Sequence, residues 1–324
     1  MRTSITFITA LPLFTAFALT TNAKAQAYPD RTLRMVVPYA PGGIVDYVGR
    51  LTAQRLTENL GHNVIVDNRP GAGGVIGVEI TSKAGADGHT LLIMDPAIVI
   101  NPSLLPKIAY DINKDLQPVS VISFSPLVLA VNARVAANSV QDLVALASAQ
   151  PGKLSFASAG IGTTPHMAGE FFKDRIRQNL LHVPYKGSGP AMADLVAGQV
   201  QMTFSSITAA LPFMRDGRLR GLATTGEKRA TALAELPTIA ESGFPGFEVN
   251  LWLAIFVPAQ TAAQIVARLN GELRKALQHP DMRSALEKVA AEPIGNSPQE
   301  AQRFVQKEFG KWAAVIKAGS VRPD

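Results

Sequence analysis

The chain has 324 residues, 47% hydrophobic and 6% aromatic, with no cysteine and a formal charge of +6. That length suits two compact units with separate cores, and the lack of thiols excludes a disulfide framework and a lipid-bearing cysteine. The basic residues are scattered, the densest groups being Arg215, Arg218 and Arg220 and the pair Lys228-Arg229, which with so few aromatics excludes a nucleic-acid surface.

Arg2 precedes an apolar segment from Ile5 to Leu19, followed by small residues at Ala23, Ala25 and Ala27. This is the layout of a secretory signal peptide cut after Ala25 or Ala27, and Thr6, Thr9, Pro12 and Thr15 make it too dilute for a spanning helix. Residues 1–27 are therefore expected to send the chain to the periplasm.

Beyond them, short β-branched runs alternate with longer amphipathic segments, the pattern of a largely parallel sheet covered by helices. Leu33 to Pro38 predicts a strand, Val45 to Asn59 a helix stopped by Gly61, and Val64 to Val66 a second strand. A turn over 68–74 leads to a short helix from Val75 to Lys83 and a strand from Thr90 to Met94. Val119 to Val131 predicts a long strand crossing between units. Ser139 starts a capped helix that ends at Pro151-Gly152, and strands are expected at Leu154–Ala157, Leu181–Val183, Val200–Phe204 and Leu219–Thr224. Val249 to Val257 predicts a second crossing, and three helices beginning near Thr261, Asp281 and Ser297 close the chain. Two crossings imply a two-lobed α/β fold, with 28–125 and 250–324 forming a discontinuous first lobe and 126–249 the second.

Three glycine-rich loops fall between an expected strand and an expected helix: Tyr39 to Gly43, Ser158 to Thr164, and Lys186 to Gly189 with Ser188 inside it. In open α/β sheets such carboxyl-end loops hold ligands. A helix start leaves backbone N–H groups unpaired, and glycine lets an anion approach them without a basic side chain. A carboxylate held between Gly42-Gly43 and Gly160 to Thr163 would touch both lobes and favour a closed state. Asp46 and Asp95 lie near the expected mouth. Each either caps its own local structure or accepts from a ligand amine or hydroxyl.

Other chemistries are poorly supplied. Gly71 to Ile76 begins like a dinucleotide fingerprint, but Ile76 stands where that pattern needs a small residue. The five histidines lack metal spacing, so no metal and no cofactor are expected. His166 and Glu170, one helical turn apart, offer either a structural contact or a proton relay. No Gly-x-Ser-x-Gly is present. An enzyme acting through His166 and Glu170 is the weaker reading beside a non-catalytic receptor.

Taken together, Tyr28 to Arg31, Val37 to Gly43 with Asp46 and Arg50, Asp67 to Gly74, Asp87 to Leu91, Gly160 to Thr163 with His166 and Glu170, His182 to Gly187, and Leu236 to Thr238 resemble the receptors of tripartite tricarboxylate transporters, the Bug receptors. The resemblance spans nearly the whole exported chain. It implies a type II periplasmic-binding-protein, or Venus-flytrap, fold that binds a small carboxylate and hands it to membrane transporter subunits as a monomer. A sensor presenting its closed form to a membrane signalling protein is the alternative role. The implied ligand contacts are Tyr39, Gly42, Gly43 and Asp46 from one lobe and Ser158, Gly162 and Thr163 from the other, with Ser188, Ser205 and Ser206 as further members. Val45, Gln201, Ser205 and the segment Met94-Asp95-Pro96 depart from the family pattern. Losing acids at 201 and 205 removes a partner for a ligand amine, and Asp95 restores one elsewhere. The more apolar Val45 suits a mono- or dicarboxylate that can include an aromatic ring.

Overall fold

The computed structural model describes residues 28–317; the expected signal peptide lies outside the described residues. The first lobe opens with β1 (Leu33–Val37), α1 (Ile44–Leu60), β2 (Val64–Asn68), α2 (Val75–Ser82) and β3 (Thr90–Met94). β1 pairs in parallel with both β2 and β3. On α1, Val48, Thr52, Leu56 and Leu60 are buried at the helical spacing, and Gly61 ends the helix in the left-handed conformation with its N–H on the Thr57 carbonyl.

Two helices follow that the sequence pattern had not indicated, α3 (Ala97–Leu104) and the single turn α4 (Ile112–Asp115). α3 is apolar almost all round and contains Pro102, so it lacks an amphipathic period and reads as a loop. It is nevertheless buried in the core.

β4 (Leu116–Asn132) is shared by both lobes. Through Pro126 it pairs antiparallel with β9 (Asn250–Pro258), and from Leu127 onward with β7 (Met202–Ser206) and β8 (Leu219–Thr224). The second passage between lobes is made by backbone just before β9, where the Val249 N–H bonds the Thr225 carbonyl. Thr225 fastens this point further, its hydroxyl donating to Val249 and accepting from the Leu127 N–H.

The second lobe carries α5 (Val140–Ala149), β5 (Ser155–Ser158), α6 (Thr164–Ile176), β6 (Leu181–Pro184), α7 (Ser188–Ala197) and α8 (Ile207–Arg215). α9 (Ala263–Gln278), α10 (Pro280–Glu287), the two-residue β10 (Glu292–Pro293) and α11 (Pro298–Lys317) follow, α9 packing on α1 and β4 and α11 on α3 and β4. The strand order is β2-β1-β3-β9-β4-β7-β5-β6, with β8 and β10 also on β4. This curled α/β sheet, shared through one long strand, is the two-lobed fold expected from the sequence. No helix among the described residues is long and apolar enough to cross a membrane.

Candidate functional site

Each lobe turns the carboxyl ends of its parallel strands toward the other. From β1 and β3 the chain enters α1 and α3; from β5, β6 and β7 it enters α6, α7 and α8. Between these ends lies a small, partly open cavity of about 20 Å³, room for about one water, lined by Tyr39, Gly43 to Asp46, Asp95, Ala159, Pro165, Ser188, Ser206 and Leu251. A wider groove of about 580 Å³ lies beside β10, bordered by Pro126, Lys228, Glu248, Arg283 and Glu292. It is open, and none of the three glycine-rich loops reaches it, so the small inter-lobe cavity is the better candidate despite its size.

Four of the helices that begin at the cleft start without a side-chain cap, while at α3 the Asp95 carboxylate accepts from the first N–H, that of Ala97. Gly43 precedes α1, Thr163 precedes α6, Gly187 precedes α7 and Ser206 precedes α8, and none makes a side-chain capping bond. The Ser206 and Thr164 hydroxyls are buried without a hydrogen-bond partner. No basic side chain lines the cavity. Unspent backbone donors, helix dipoles and orphaned hydroxyls form an anion cradle in which the positive potential comes from peptide groups.

The two acids differ. Asp46 accepts from the Gly42 N–H (3.3 Å), Asn68 Nδ2 (2.9 Å) and Arg50 Nε (3.1 Å). Burial alone would raise its pKa, but these donors together hold it below the ordinary carboxylate range. Its charge is spent on fixing the loop that begins α1. Asp95 is 3% exposed and accepts from the Tyr39 hydroxyl (2.8 Å) and the Ala97 N–H (3.1 Å), both on Oδ1. Here burial outweighs the donors and pushes the acid up to about 6. Burial, with Asp95 beside it, keeps Tyr39 protonated and therefore a donor.

The structure brings Tyr39, Gly43, Asp46, Asp95, Ser188 and Ser206 to the cavity wall. Gly42, Ser158, Gly162, Thr163 and Ser205 do not line it in this closed arrangement. Ser158 Oγ bonds His182 Nε2 (2.7 Å) and accepts from the Gly160 N–H (3.1 Å). The Gly162 N–H goes to His166 Nδ1 (3.1 Å), and the Thr163 hydroxyl donates to the Gly160 carbonyl (2.6 Å). These bonds shape the loop from within. Ser205 lies inside the sheet opposite Val128. Gln201 Oε1 accepts from the N–H and hydroxyl of Ser155, so that departure from the family pattern serves the start of β5.

His166 is fully buried and stacks on His182, which stacks in turn on Phe156. Glu170 pairs with Lys173 at 3.1 Å. No cluster able to hold a metal is found among the described residues.

Two seams join the lobes beside the cavity. In one, the Ala40 N–H donates across to the Lys186 carbonyl (3.2 Å), and a Cβ on Gly189 would lie 2.6 Å from the Pro41 carbonyl oxygen. In the other, Gly73, held at φ 59°, lies so close to the Ile161 carbonyl oxygen that a Cβ would collide with it. Asn101 spans this second seam. Its Nδ2 donates to the Gly73 carbonyl, and its Oδ1 lies against Gly162. The sequence had offered a signal for Asn101, a lone amide in an apolar run. Leu251 and Pro165 had none, since a hydrophobic strand residue and a helix-starting proline look alike in a core and at a cleft.

The model of the family described as tripartite tricarboxylate transporter family receptor matches residues 48–321. A protein from the tcbD-tcbE intergenic region of Pseudomonas sp. strain P51 is 40% identical over 306 residues, covering 93% of this chain and 91% of that protein. Among solved structures, R. palustris Rpa4515 with adipate is 36% identical with a TM-score of 0.89, covering 92% of this chain and all of that one. The periplasmic binding protein BugD is 32% identical with a TM-score of 0.88, covering 91% of this chain and all of its own. Cleft, fold and relatives agree: the chain belongs to the tripartite tricarboxylate transporter receptor family, whose members are periplasmic solute-binding receptors rather than enzymes.

Proposed function

We propose that this receptor captures a small carboxylate between its lobes and delivers it to a membrane transporter of the tripartite tricarboxylate type. The carrying observation is the convergence of four uncapped helix starts and the orphaned Ser206 hydroxyl on a cavity without a basic side chain. Such a lining holds an anion through peptide dipoles. Adipate in the R. palustris relative supports the ligand class. Because the cavity is far smaller than a ligand, entry requires the lobes to part about β4 and the backbone before β9. Residues 28–125 with 250–324 then move against 126–249, and the receptor works as a monomer. Residues 1–27 are removed on export, which N-terminal sequencing of the secreted protein checks.

A thermal-shift panel of aliphatic, amino and aromatic carboxylates beside their neutral amides tests the binding. A ligand at 100 times its Kd adds about 2.7 kcal/mol of stability. Stabilisation by one carboxylate class and not by its amides is expected; stabilisation by the amides alone would sink the anion cradle. Loss of uptake of that carboxylate on deletion of the gene tests delivery. Intact uptake with a lost transcriptional response would favour the sensor role.

A further inference from the structure

One corner of the cavity has the opposite polarity to the rest. The helix starts present donors, but the Tyr39 hydroxyl spends its proton on Asp95 Oδ1 at 2.8 Å and keeps only its lone pairs for a guest. The Ala97 N–H points at the same oxygen at 3.1 Å. Both bonds end on Oδ1, and the acid's own N–H is its third donor; a carboxylate with about four acceptor sites still has capacity beside the Tyr39 oxygen on a wall where both residues line the cavity. This corner can only accept. The other acid on the wall, Asp46, has its charge met by Arg50, Asn68 and Gly42 and competes for nothing.

A carboxylate drawn into this cavity by the helix starts meets a buried anion with no lysine or arginine between them. Two anions side by side in a mostly buried, low-dielectric space repel strongly unless a cation or a proton separates them. An ammonium supplies the charge and three donors, matching a corner made of acceptors. We propose that Asp95 and Tyr39 form the binding site for a ligand ammonium, so that the solute of this receptor is an amino carboxylate. The inference rests on the carboxylate reading of the cleft and adds the group at the ligand's other end. Uptake of a proton by Asp95 is the competing way to relieve the repulsion. Burial pushes the acid up to about 6, while both of its neighbours donate to it, which favours the anion.

Isothermal titration near neutral pH decides it, with chain-matched sets from propanoate to hexanoate whose far end is an ammonium, a second carboxylate or a methyl group. Adipate, aminohexanoate and hexanoate form one such set, and glutamate and glutarate are a pair differing only in the α-ammonium. The amino member of at least one set is expected to bind about tenfold or more tighter than its partners, a difference of about 1.4 kcal/mol. Asp95→Asn, which keeps an oxygen for Tyr39 and Ala97, is expected to abolish that preference, weakening the amino members while the methyl-ended and dicarboxylate members, freed of the repulsion, bind as well as before or tighter. Tyr39→Phe is expected to weaken it in the same direction. Equal or tighter binding of the non-amino members to the wild type, or a preference that survives Asp95→Asn, would overturn the assignment and leave the carboxylate cradle standing. Tight dicarboxylate binding with uptake of a proton would also overturn it, in favour of a protonated Asp95. Binding by no carboxylate, amino or not, would remove both readings together.

Discussion

The helix starts of this protein fall into two groups. Away from the cleft several helices are capped by their own side chains, though α2 and α9 are not: Asp111 accepts from the Asn113 N–H at α4, Ser139 from the Asp142 N–H at α5, and His279 from the Asp281 N–H at α10. At α11, Ser297 and Glu300 form a reciprocal capping box, Ser297 Oγ accepting from the Glu300 N–H and Glu300 Oε2 from the Ser297 N–H. At the cleft, α1, α6, α7 and α8 begin without such bonds, and Ser206, a residue type that usually caps, leaves its hydroxyl unpaired. A cap contributes about 1 kcal/mol to stability. Leaving it out at four helix starts that converge on one cavity keeps their donors available for a guest.

Donors left free at the helix starts serve a guest only if the lobes close on it. Gly73→Ala puts a methyl group on the Ile161 carbonyl and should block closure. We expect ligand affinity to fall by about 100-fold, about 3 kcal/mol, with small-angle scattering showing a more open shape at saturating ligand. Affinity within about threefold of wild type would mean the seam is not part of the bound state.

Asp95 is the one cleft acid whose environment destabilises its charge. Its raised pKa means that the folded state is favoured most below about pH 4, and that this advantage is lost as pH rises to about 6 and beyond. Asp95→Asn should therefore raise stability near neutral pH by up to about 3 kcal/mol and flatten the stability profile between about pH 4 and 6. Denaturant unfolding at the two ends of that range checks it; a variant with an unchanged pH profile would show that Asp95 is better solvated than its burial implies.

The two cap serines sharpen the contrast at lower energy. Ser206→Ala removes a hydroxyl with no partner, so stability should hold or rise slightly while carboxylate affinity drops by about tenfold, the loss of one hydrogen bond to an anion. Ser297→Ala should do the reverse, costing about 1 kcal/mol, a few degrees in melting temperature, with binding unchanged. Calorimetric titration and thermal melts on both variants read the crossing directly. If both lose stability alike, the cleft helices are capped in a way the comparison misses.

Much of this protein was determined by local sequence. The alternation of β-branched runs with amphipathic segments marked β1, α1, β3, β8 and the capped starts of α5 and α11, because periodicity and capping need only neighbouring residues. The glycine-rich loops and the family motifs likewise placed the cleft at the strand ends. α3 was missed because a helix apolar on every side has no period, and only the surrounding core could show it. Tertiary structure alone decided which loop residues line the small inter-lobe cavity. Ser158, Gly162 and Thr163 spend their polar groups on the Gly160 backbone, His182 and His166, and Leu251, silent as one apolar residue in a strand, reaches the cavity. It also decided the difference between the two acids. Asp46 and Asp95 look alike in the chain, but one is met by Arg50 and Asn68 while the other is buried with Tyr39. Charge depends on what surrounds a side chain in space, and those partners come from segments that the local sequence does not bring together.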